Sequence, residues 1–523
     1  MLEHKKAISL ETARSFFGLL TLFGFALAFF IAIASLSWPL GPDQGIYAWV
    51  GSVILEGGVP YKDAWDVKGP LCYYTYAFAT ALLGNREYSI RVIDLSAVVA
   101  CCILLRRLTL RLNGGDTLGG NCAVIFFVLA YYGWWGPYEA AEPDGWGGMF
   151  ILYAVYLLLY PPTWNRYLVH SVVGFAIALA TLLKPVLSIY LLLPVLCVFS
   201  GDITERAKKI RLLATSMCFF TLTVVLSILV LSHLGGGLED YADLMRFLSS
   251  SHLPKNRSLK ELMSMFDMLL EFGLLTPYLV APLGIYLLRL SGRRLHAQIF
   301  AVWFGLSLLL VVAQGRYFPY HFVPATIAAA PSIGIAITSL NLRYTRVRFS
   351  TASVYALLAW LIAITPLSVK AVYWNYQWPA YIAGFEGRDQ YIKHITPGWD
   401  YGAIKWLSTY LAQHSLPTDR VLMWGWDPLL NVLAERDSPS RFGFSYPLVI
   451  SGPLQSQYRR TFLREISRVP PKFIVIDDKD PWDLFDRSGM QFLHDFPEFD
   501  SFIQSRYRIS VKVSYFQLWT LIQ

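Results

Sequence analysis

Long apolar segments separated by short polar ones fill the first 372 residues of the chain, and this pattern predicts about eleven transmembrane helices. A helix needs about 20 mostly apolar residues to cross the hydrocarbon core of a bilayer. The first segment is longer than the apolar part of a signal peptide, so we expect it to be an uncleaved anchor. The predicted spans cover residues 13–36, 88–108, 120–136, 145–160, 168–183, 185–200, 212–233, 269–290, 298–314, 322–341 and 351–372.

The pattern changes to that of a soluble α/β domain after the last predicted span. We interpret residues 373–399, which are rich in aromatic side chains, as an interfacial linker between a membrane domain (1–372) and a C-terminal domain (400–523). Within the C-terminal domain, the periodicity predicts helices over 401–414, 428–435 and 455–468, strands over 420–424 and 472–477, and β-structure over 507–520. The expected fold class is therefore mostly α, a polytopic membrane protein with a C-terminal extracytoplasmic α/β domain.

Composition narrows the classes of protein that fit this pattern. Of the 523 residues, 55% are hydrophobic and only 15% are charged, which excludes an ordinary soluble enzyme, a disordered scaffold and a nucleic-acid-binding domain. All six cysteines lie in apolar stretches before residue 219 and lack the spacing of metal ligands, so neither a disulfide framework nor a zinc site is expected from them. Neither predicted strand is followed by a glycine-rich phosphate-binding motif, which gives a nucleotide site little support.

The distribution of charge predicts the orientation in the membrane. If the N-terminus is cytoplasmic, the inside segments carry seventeen basic and five acidic residues. This is the bias of the positive-inside rule, so the net charge of +8 reports topology rather than a polyanionic partner. An odd number of spans then places the C-terminal domain outside. We expect a multi-pass protein of the bacterial inner (cytoplasmic) membrane.

The first outside loop, residues 38–87, contains the most informative local pattern. Residues 44–56 and 70–83 predict two short amphipathic helices that lie along the membrane surface. Asp43 comes directly before the first of them and close to the end of the first span. Such a carboxylate has two interpretations, as an N-cap of the following helix or as a functional group at the boundary of water and lipid.

The other outside loops add acids and bases on the same side. Glu139, Glu142 and Asp144 stand at the mouth of a membrane helix. Carboxylates at membrane depth are costly unless they are solvated or paired, so the group indicates a polar cavity, although helix capping is the alternative. The basic residues suit a phosphate whose tail enters lipid, or they reach the interface as snorkelling side chains; they include Lys68, Lys184, Arg257, Arg316 and His321.

The first loop is similar to that of a known family. The motifs D-Q-G-x-Y at 43–47, G-G-x-P-Y-x-D at 57–63 and K-G-P at 68–70 resemble bacterial members of the GT-C superfamily of glycosyltransferases, in the branch of the protein-mannosyltransferases and aminoarabinose transferases. The resemblance covers approximately residues 10–372. It implies an inverting transfer of a sugar from a polyprenyl-phosphate carrier to an acceptor on the extracytoplasmic face of the membrane.

The resemblance also implies roles for individual residues. Asp43 matches the general base and Lys68 the lysine that holds the carrier's phosphate, while the second acid falls on Glu142 or Asp144. In the aminoarabinose transferases a Glu directly precedes this lysine, whereas here Val67 does, which argues against that substrate. We expect further phosphate contacts and a substrate pocket from residues near these motifs: Arg257, Arg316 and His321 for the phosphate, and Tyr47, Tyr61, Asp66 and Glu139 for the pocket.

The partners follow from the same reasoning. We expect a polyprenyl-phosphate sugar donor, a lipid, glycan or protein acceptor, contacts with membrane lipids, and no nucleic acid. No cofactor is required for this reaction, and a divalent metal at Asp43 with Glu142 or Asp144 is an open question. A transporter or lipid flippase is the main alternative, and a polysaccharide polymerase or ligase is the second. Against a transporter, we expect the spans to lack the midplane charges and the broken helices that transport requires.

Overall fold

The computed structural model describes residues 2–133, 136–200, 205–235, 238–252, 259–271, 273–343, 364–479 and 487–522. They form two compact units, each assembled from separate stretches of chain. The first unit comprises Met1–Ser37, Arg91–Val225 and Asn256–Tyr376, and the second comprises Trp38–Ile90, Leu226–Lys255 and Gln377–Gln523. The first outside loop therefore belongs to the same unit as the C-terminal domain, whereas the boundaries predicted at 372 and 399 divide the chain sequentially.

The helices of the N-terminal three quarters of the chain follow the predicted order. They are α1 (Leu2–Ala34), α2 (Pro42–Leu55), α3 (Pro70–Leu83), α4 (Glu87–Leu112), α5 (Thr117–Gly133), α6 (Pro143–Leu159), α7 (Arg166–Leu183), α8 (Leu192–Ser200), α9 (Arg206–His233), α10 (Leu238–Phe247), α11 (Leu259–Glu271), α12 (Leu275–Leu290), α13 (Arg294–Gln314) and α14 (Val323–Arg343), with a further helix α15 described over 364–375.

Six helices among the described residues are long and apolar enough to cross a membrane. The number of spans, eleven, stays a prediction. Two predicted spans are not continuous α-helices. The span 185–200 begins with a 3-10 helix, Pro185–Leu191. The span 269–290 is interrupted between α11 and α12, which meet at 95°. Pro185 explains the break between α7 and this 3-10 helix, because a proline restricts the preceding residue, here Lys184, to extended backbone. The expectation that the spans contain no broken helices was therefore wrong. The predicted span 351–372 lies largely outside the described residues, which resume at 364.

Helix α14 is the centre of the first unit. It packs against α5, α6, α12 and α13, and its apolar stretch up to Thr338 is completely buried. Small residues make this possible, because a β-carbon at Gly334 would overlap the backbone of Gly119, and one at Gly284 would overlap that of Ser332. Helices that must approach closely in a membrane use such small residues at their contacts.

The second unit contains the C-terminal elements. These are α16 (Trp378–Ile382), α17 (Arg388–Ile395), α18 (Tyr401–His414), β1 (Val421–Trp424), α19 (Leu429–Ala434), α20 (Tyr446–Val449), α21 (Gln455–Arg468), β2 (Phe473–Asp477), α22 (Gly489–His494), α23 (Pro497–Arg506), β3 (Tyr507–Val513) and β4 (Phe516–Leu521). The sheet has the order β1-β2-β4-β3, with β1 parallel to β2 and the other pairs antiparallel. Strands β1 and β2 are buried throughout, as parallel strands covered on both faces are.

Helices α2 and α3 confirm the two helices predicted in the first outside loop. They pack against each other, and α2 also packs against α19 of the C-terminal part. Gly45 permits the second contact, because a β-carbon there would stand 2.7 Å from the β-carbon of Leu429. The start of α2, which carries Asp43, is therefore fixed by packing on two sides.

Candidate active site

Asp43 is not the N-cap of α2. The cap is Gly41, whose backbone N–H donates to Oε1 of Gln44 at 2.9 Å, and Pro42 takes the first helical position. Asp43 follows in the first turn, where the helix dipole favours a negative charge. Because Gly41 and Gln44 perform the capping, the Asp43 carboxylate is available for other contacts.

The Asp43 carboxylate faces Lys68. Nζ of Lys68 lies 3.9 Å from Oδ2 of Asp43, and the Tyr47 hydroxyl donates to the same oxygen at 3.4 Å. The Lys68 ammonium also stands 5.7 Å from the centre of the Tyr47 ring. The Asp43 side chain is 39% exposed and that of Lys68 is 11% exposed. The arrangement is a loose ion pair whose acid is open to solvent.

The backbone of Lys68 is held by two buried tyrosines. The Tyr61 hydroxyl donates to the Lys68 carbonyl at 2.8 Å, and the Lys68 N–H donates to the Tyr73 hydroxyl at 2.9 Å. Tyr73 in turn donates to Oδ2 of Asp66 at 2.9 Å. Three residues predicted to line the substrate pocket thus hold the acid and the lysine in place. Tyr47 bonds to the Asp43 carboxylate. Tyr61 bonds to the Lys68 backbone directly, and Asp66 does so through Tyr73.

Asp66 is a buried acid with a raised pKa. Burial raises its pKa to about 6, against the opposing effects of Lys68, the Val67 backbone and Tyr73. Burial likewise raises the pKa of Tyr73 well above its usual value, so its hydroxyl remains a neutral donor. The aminoarabinose transferases have a Glu where this chain has Val67. Asp66, one residue earlier in this chain, is a carboxylate that is hydrogen-bonded inside the protein.

Three of the loops predicted to lie outside each contain a residue other than glycine in the left-handed region of backbone conformation. They are Tyr61 (φ 72°), Ala141 (φ 62°) and Tyr317 (φ 51°). Such residues are uncommon, cost free energy, and cluster at functional sites where the surrounding structure fixes them. These three positions fall in loops that carry predicted site residues, and two others, Glu435 (φ 53°) and Ser514 (φ 54°), lie in the C-terminal elements.

In the first unit, the second outside loop is fixed by polar contacts. The buried guanidinium of Arg91 donates to the carbonyls of Pro137 and Ala140 at 3.0 and 3.3 Å. Glu139 accepts the backbone N–H of Tyr320 at 2.6 Å. Glu139, predicted as a pocket residue, therefore connects the second outside loop to the loop before α14.

Asp144 forms a tight and buried ion pair with Lys184. Nζ of Lys184 lies 2.9 and 2.7 Å from the two carboxylate oxygens, and the Asp144 side chain is only 1% exposed. The same ammonium stands 5.6 Å from the centre of the Tyr320 ring. Glu142 is the N-cap residue of α6 without a capping hydrogen bond from its side chain, and it is completely buried.

Of the other three residues predicted to contact the phosphate, His321 and Arg316 lie in the segment just before α14. His321 is buried, with its ring 4.7 Å from that of Tyr320 in an edge-on arrangement. Arg316 is half-buried in the same loop. Arg257 lies outside the described residues. Over the part of the chain that the structure describes, no three His, Cys, Asp or Glu side chains come together as metal ligands would.

Sequence reasoning missed four residues that make the hydrogen bonds and the ion pair described above. Tyr73, Arg91 and Tyr320 had no assigned role, and Lys184 was noted only as one base among several. The signal for Lys184 was available, since a lysine between two apolar spans must find a counter-charge. Tyr73 and Tyr320 lie in segments so rich in aromatic residues that the sequence does not distinguish them.

Solved structures resemble the chain over its whole length. No family model matches the sequence, and no curated protein does. The crystal structure of ArnT from Cupriavidus metallidurans bound to undecaprenyl phosphate matches with a TM-score of 0.59 and 13% identity, over 95% of this chain and 97% of that chain. The apo state of the same protein matches with a TM-score of 0.55 over the same shares.

The chain has the GT-C fold. The fold is the one that the resemblance of the first loop implies, and at 13% identity the match shows the fold alone. An oligosaccharyltransferase of Archaeoglobus fulgidus, tethered with an acceptor peptide, matches with a TM-score of 0.47 and 12% identity, over 87% of this chain and 69% of its own.

Proposed function

We propose that the chain transfers a sugar from a polyprenyl-phosphate donor to a lipid, glycan or protein acceptor on the extracytoplasmic face of the bacterial inner membrane. The observation that carries the proposal is the pairing of Asp43 with Lys68 in the first loop, within a fold shared with a protein that binds undecaprenyl phosphate. A base beside a cation is what this reaction requires, because an acceptor must lose a proton while a phosphate gains charge.

Lys68 is proposed to hold the donor phosphate. Its ammonium would neutralise the charge that grows on the departing phosphate, an interaction that is strongest where water is partly excluded. The Lys68 side chain is 11% exposed, and its backbone is fixed by Tyr61 and Tyr73. Arg257, Arg316 and His321 are proposed as additional phosphate contacts.

Asp43 is proposed as the general base. It would accept the acceptor's proton as the acceptor oxygen or nitrogen attacks the anomeric carbon and the phosphate leaves with the bonding electrons. A single displacement of this kind inverts the configuration at that carbon and uses no covalent intermediate. Glu142 or Asp144 is proposed as the second acid, and Tyr47, Tyr61, Asp66 and Glu139 as residues that shape or support the substrate site.

The Asp43→Asn variant tests the base. The change keeps the size of the side chain and removes its basicity, so transfer should fall by about 10²–10⁴-fold, the typical contribution of a general base. The assay measures radiolabelled sugar released from synthetic undecaprenyl-phosphate sugars into membrane acceptors. Glu56→Gln, an exposed acid at the end of α2, is the matched control and should keep parental transfer. Near-parental transfer by Asp43→Asn would remove the assignment.

The Lys68→Ala variant tests the phosphate contact and separates the enzyme from a transporter. Loss of a charge-assisted contact should weaken binding of undecaprenyl phosphate by about 10–100-fold, while Lys62→Ala, an exposed lysine of the same loop, should not. A flippase would move labelled donor across vesicles without forming a glycosylated product. Donor translocation with no transfer would therefore favour the transport alternative.

No cofactor is needed in this proposal. Transfer measured before and after EDTA treatment, and after adding back Mg²⁺ or Mn²⁺, decides the metal question. Equal rates in all three samples are expected, and a rate restored only by a divalent ion would require a metal beside the acids.

A further inference from the structure

The exposed side of α18 carries a ladder of stacked aromatic rings. Trp406, Tyr410 and His414 repeat every four residues, which places them on one stripe of the helix. The Trp406 and Tyr410 rings stack with centres 5.4 Å apart and planes within 16°, and those of Tyr410 and His414 stack at 3.9 Å and 15°. Nδ1 of His414 lies 2.8 Å from the Tyr410 carbonyl, so the last ring is fixed in place.

These rings are not part of the hydrophobic core. The opposite side of α18 supplies the core with Ile404, Leu407 and Leu411, all completely buried. Trp406, in contrast, is 47% exposed. Because Tyr410 stacks between Trp406 and His414, the apolar face of the stack that stays open is the face of Trp406 on the side away from Tyr410. An exposed apolar group held in a fixed geometry is a feature that marks binding surfaces.

A second stripe of hydrogen-bonding side chains runs beside the rings. Lys405, Thr409 and Gln413 repeat with the same spacing, and Asp389 of α17 stands opposite, with its Oδ1 3.3 Å from Nζ of Lys405. Together with Trp406 and Tyr410 they line an open cleft of about 330 Å³. The cleft thus has aromatic rings along one side and both donors and acceptors along the other.

Gly402 leaves the end of this cleft open. It lies one turn before Trp406, on the aromatic stripe, and also lines the cleft. A β-carbon at this position would meet only Oδ1 of Asp400, at 3.4 Å, which is an ordinary contact. A side chain could therefore be accommodated here, and its absence exposes the face of the Trp406 ring.

We propose that this surface of α18 is a carbohydrate-binding platform that holds a pyranose ring of a neutral glycan on the face of Trp406 that points away from Tyr410. A pyranose ring has a face of C–H groups that packs on an aromatic ring and a rim of hydroxyls that need donors and acceptors, which Trp406 and the polar stripe provide. The polar stripe from 405 to 413 extends about 12 Å at 1.5 Å per residue, long enough to contact the hydroxyls of more than one sugar ring. The charged side chains of Asp389 and Lys405 in the cleft favour a sugar over lipid tails.

The platform goes beyond the proposed transfer, since it would bind glycan whether or not the chain catalyses any reaction. The experiment is isothermal titration of maltoheptaose, cellohexaose and mannohexaose into the full-length protein in detergent. Binding of at least one of the three is expected. Trp406→Ala should weaken it by about tenfold or more, and Gly402→Leu, which fills the cleft without changing a ring, should abolish it.

Two controls keep the test decisive. Trp164, 46% exposed in the first unit, provides a matched variant, and Trp164→Ala should bind as the parent does. Asp43→Asn should also bind normally, so failure of the transfer proposal and failure of the platform are distinguishable. Absence of binding to all three glycans would overturn the platform, as would parental binding by Gly402→Leu. The chain has 17 tryptophans, so a lipid contact is measured as a difference: less quenching by brominated lipids in nanodiscs for Trp406→Ala than for the parent would identify a membrane contact of Trp406 and also overturn the platform.

Discussion

Removing Lys184 should destabilise the first unit strongly. Lys184→Met keeps the aliphatic stem and deletes the ammonium, which leaves the Asp144 carboxylate, 1% exposed, without the two contacts at 2.9 and 2.7 Å. Breaking a buried pair by removing one partner costs about 3–5 kcal/mol, because the remaining charge stays desolvated. At about 2–4 °C per kcal/mol for a domain of this size class, the unfolding temperature should fall by roughly 10 °C.

The double variant Lys184→Met/Asp144→Asn should recover most of this loss. With both charges gone no buried ion remains uncompensated, so the two substitutions should be strongly non-additive, with a coupling energy of about 2 kcal/mol or more. Thermal unfolding of the purified protein in detergent measures both effects, and Lys208→Met, an exposed lysine near the start of α9, is the control. An unchanged unfolding temperature for Lys184→Met, or simple additivity in the double variant, would refute the reasoning.

The same variants decide between the two candidates for the second acid. If Asp144 serves only as the counter-ion of Lys184, the double variant should keep transfer while Glu142→Gln loses it. If Asp144 takes part in the reaction, the double variant should be stable and inactive. Stability and activity measured on the same samples therefore separate a structural role from a chemical one.

Further predictions concern the support of Lys68. Burial raises the pKa of Asp66 to about 6 in the folded protein, so folding favours the neutral carboxyl group. The free energy of unfolding should therefore fall by about 3 kcal/mol as the pH rises from about 4 to about 6. Asp66→Asn should remove this pH dependence, and a variant with the parental pH profile would contradict the prediction. Tyr73→Phe, which deletes the hydroxyl between Asp66 and the Lys68 backbone, should cost about 1–3 kcal/mol of stability and weaken undecaprenyl phosphate binding. Tyr74→Phe, at the half-buried next position, is the control and should change neither stability nor undecaprenyl phosphate binding. If both variants behaved alike, the Tyr73 hydroxyl would not be needed to hold Lys68.

Local structure could be predicted from the sequence because its signals are local. The helices at Tyr401–His414 and Gln455–Arg468 begin and end where the periodicity places them, and α3 begins at Pro70, a residue well suited to the first helical position. Composition predicted the membrane class by the same kind of local counting, and the orientation inferred from the bias of basic residues stays a prediction.

Pairings between distant positions could not be predicted. Asp144 and Lys184 are 40 residues apart, and each alone fits a cap or a snorkelling side chain. The interruption between α11 and α12 escapes detection because the end of α11, from residue 269, and α12 form one mostly apolar run in the sequence. Gly45 shows the same limit, since its contact with Leu429 depends on how the first loop packs on the C-terminal elements, which no local pattern encodes.

The two acid–lysine pairs differ in a way that bears on the chemistry. Asp144 is buried and bonded through both oxygens to Lys184, so accepting a further proton there would disrupt a pair that the fold depends on. Asp43 is 39% exposed and its Oδ2 stands 3.9 Å from Nζ of Lys68, so its carboxylate is accessible from solvent and its ion pair is weaker. A general base must reach its proton at hydrogen-bonding distance, and a phosphate-binding lysine must be able to exchange one anion for another. The loose pair suits both conditions better, which is why we propose Asp43 as the proton acceptor and expect substitutions in the tight pair to affect stability first.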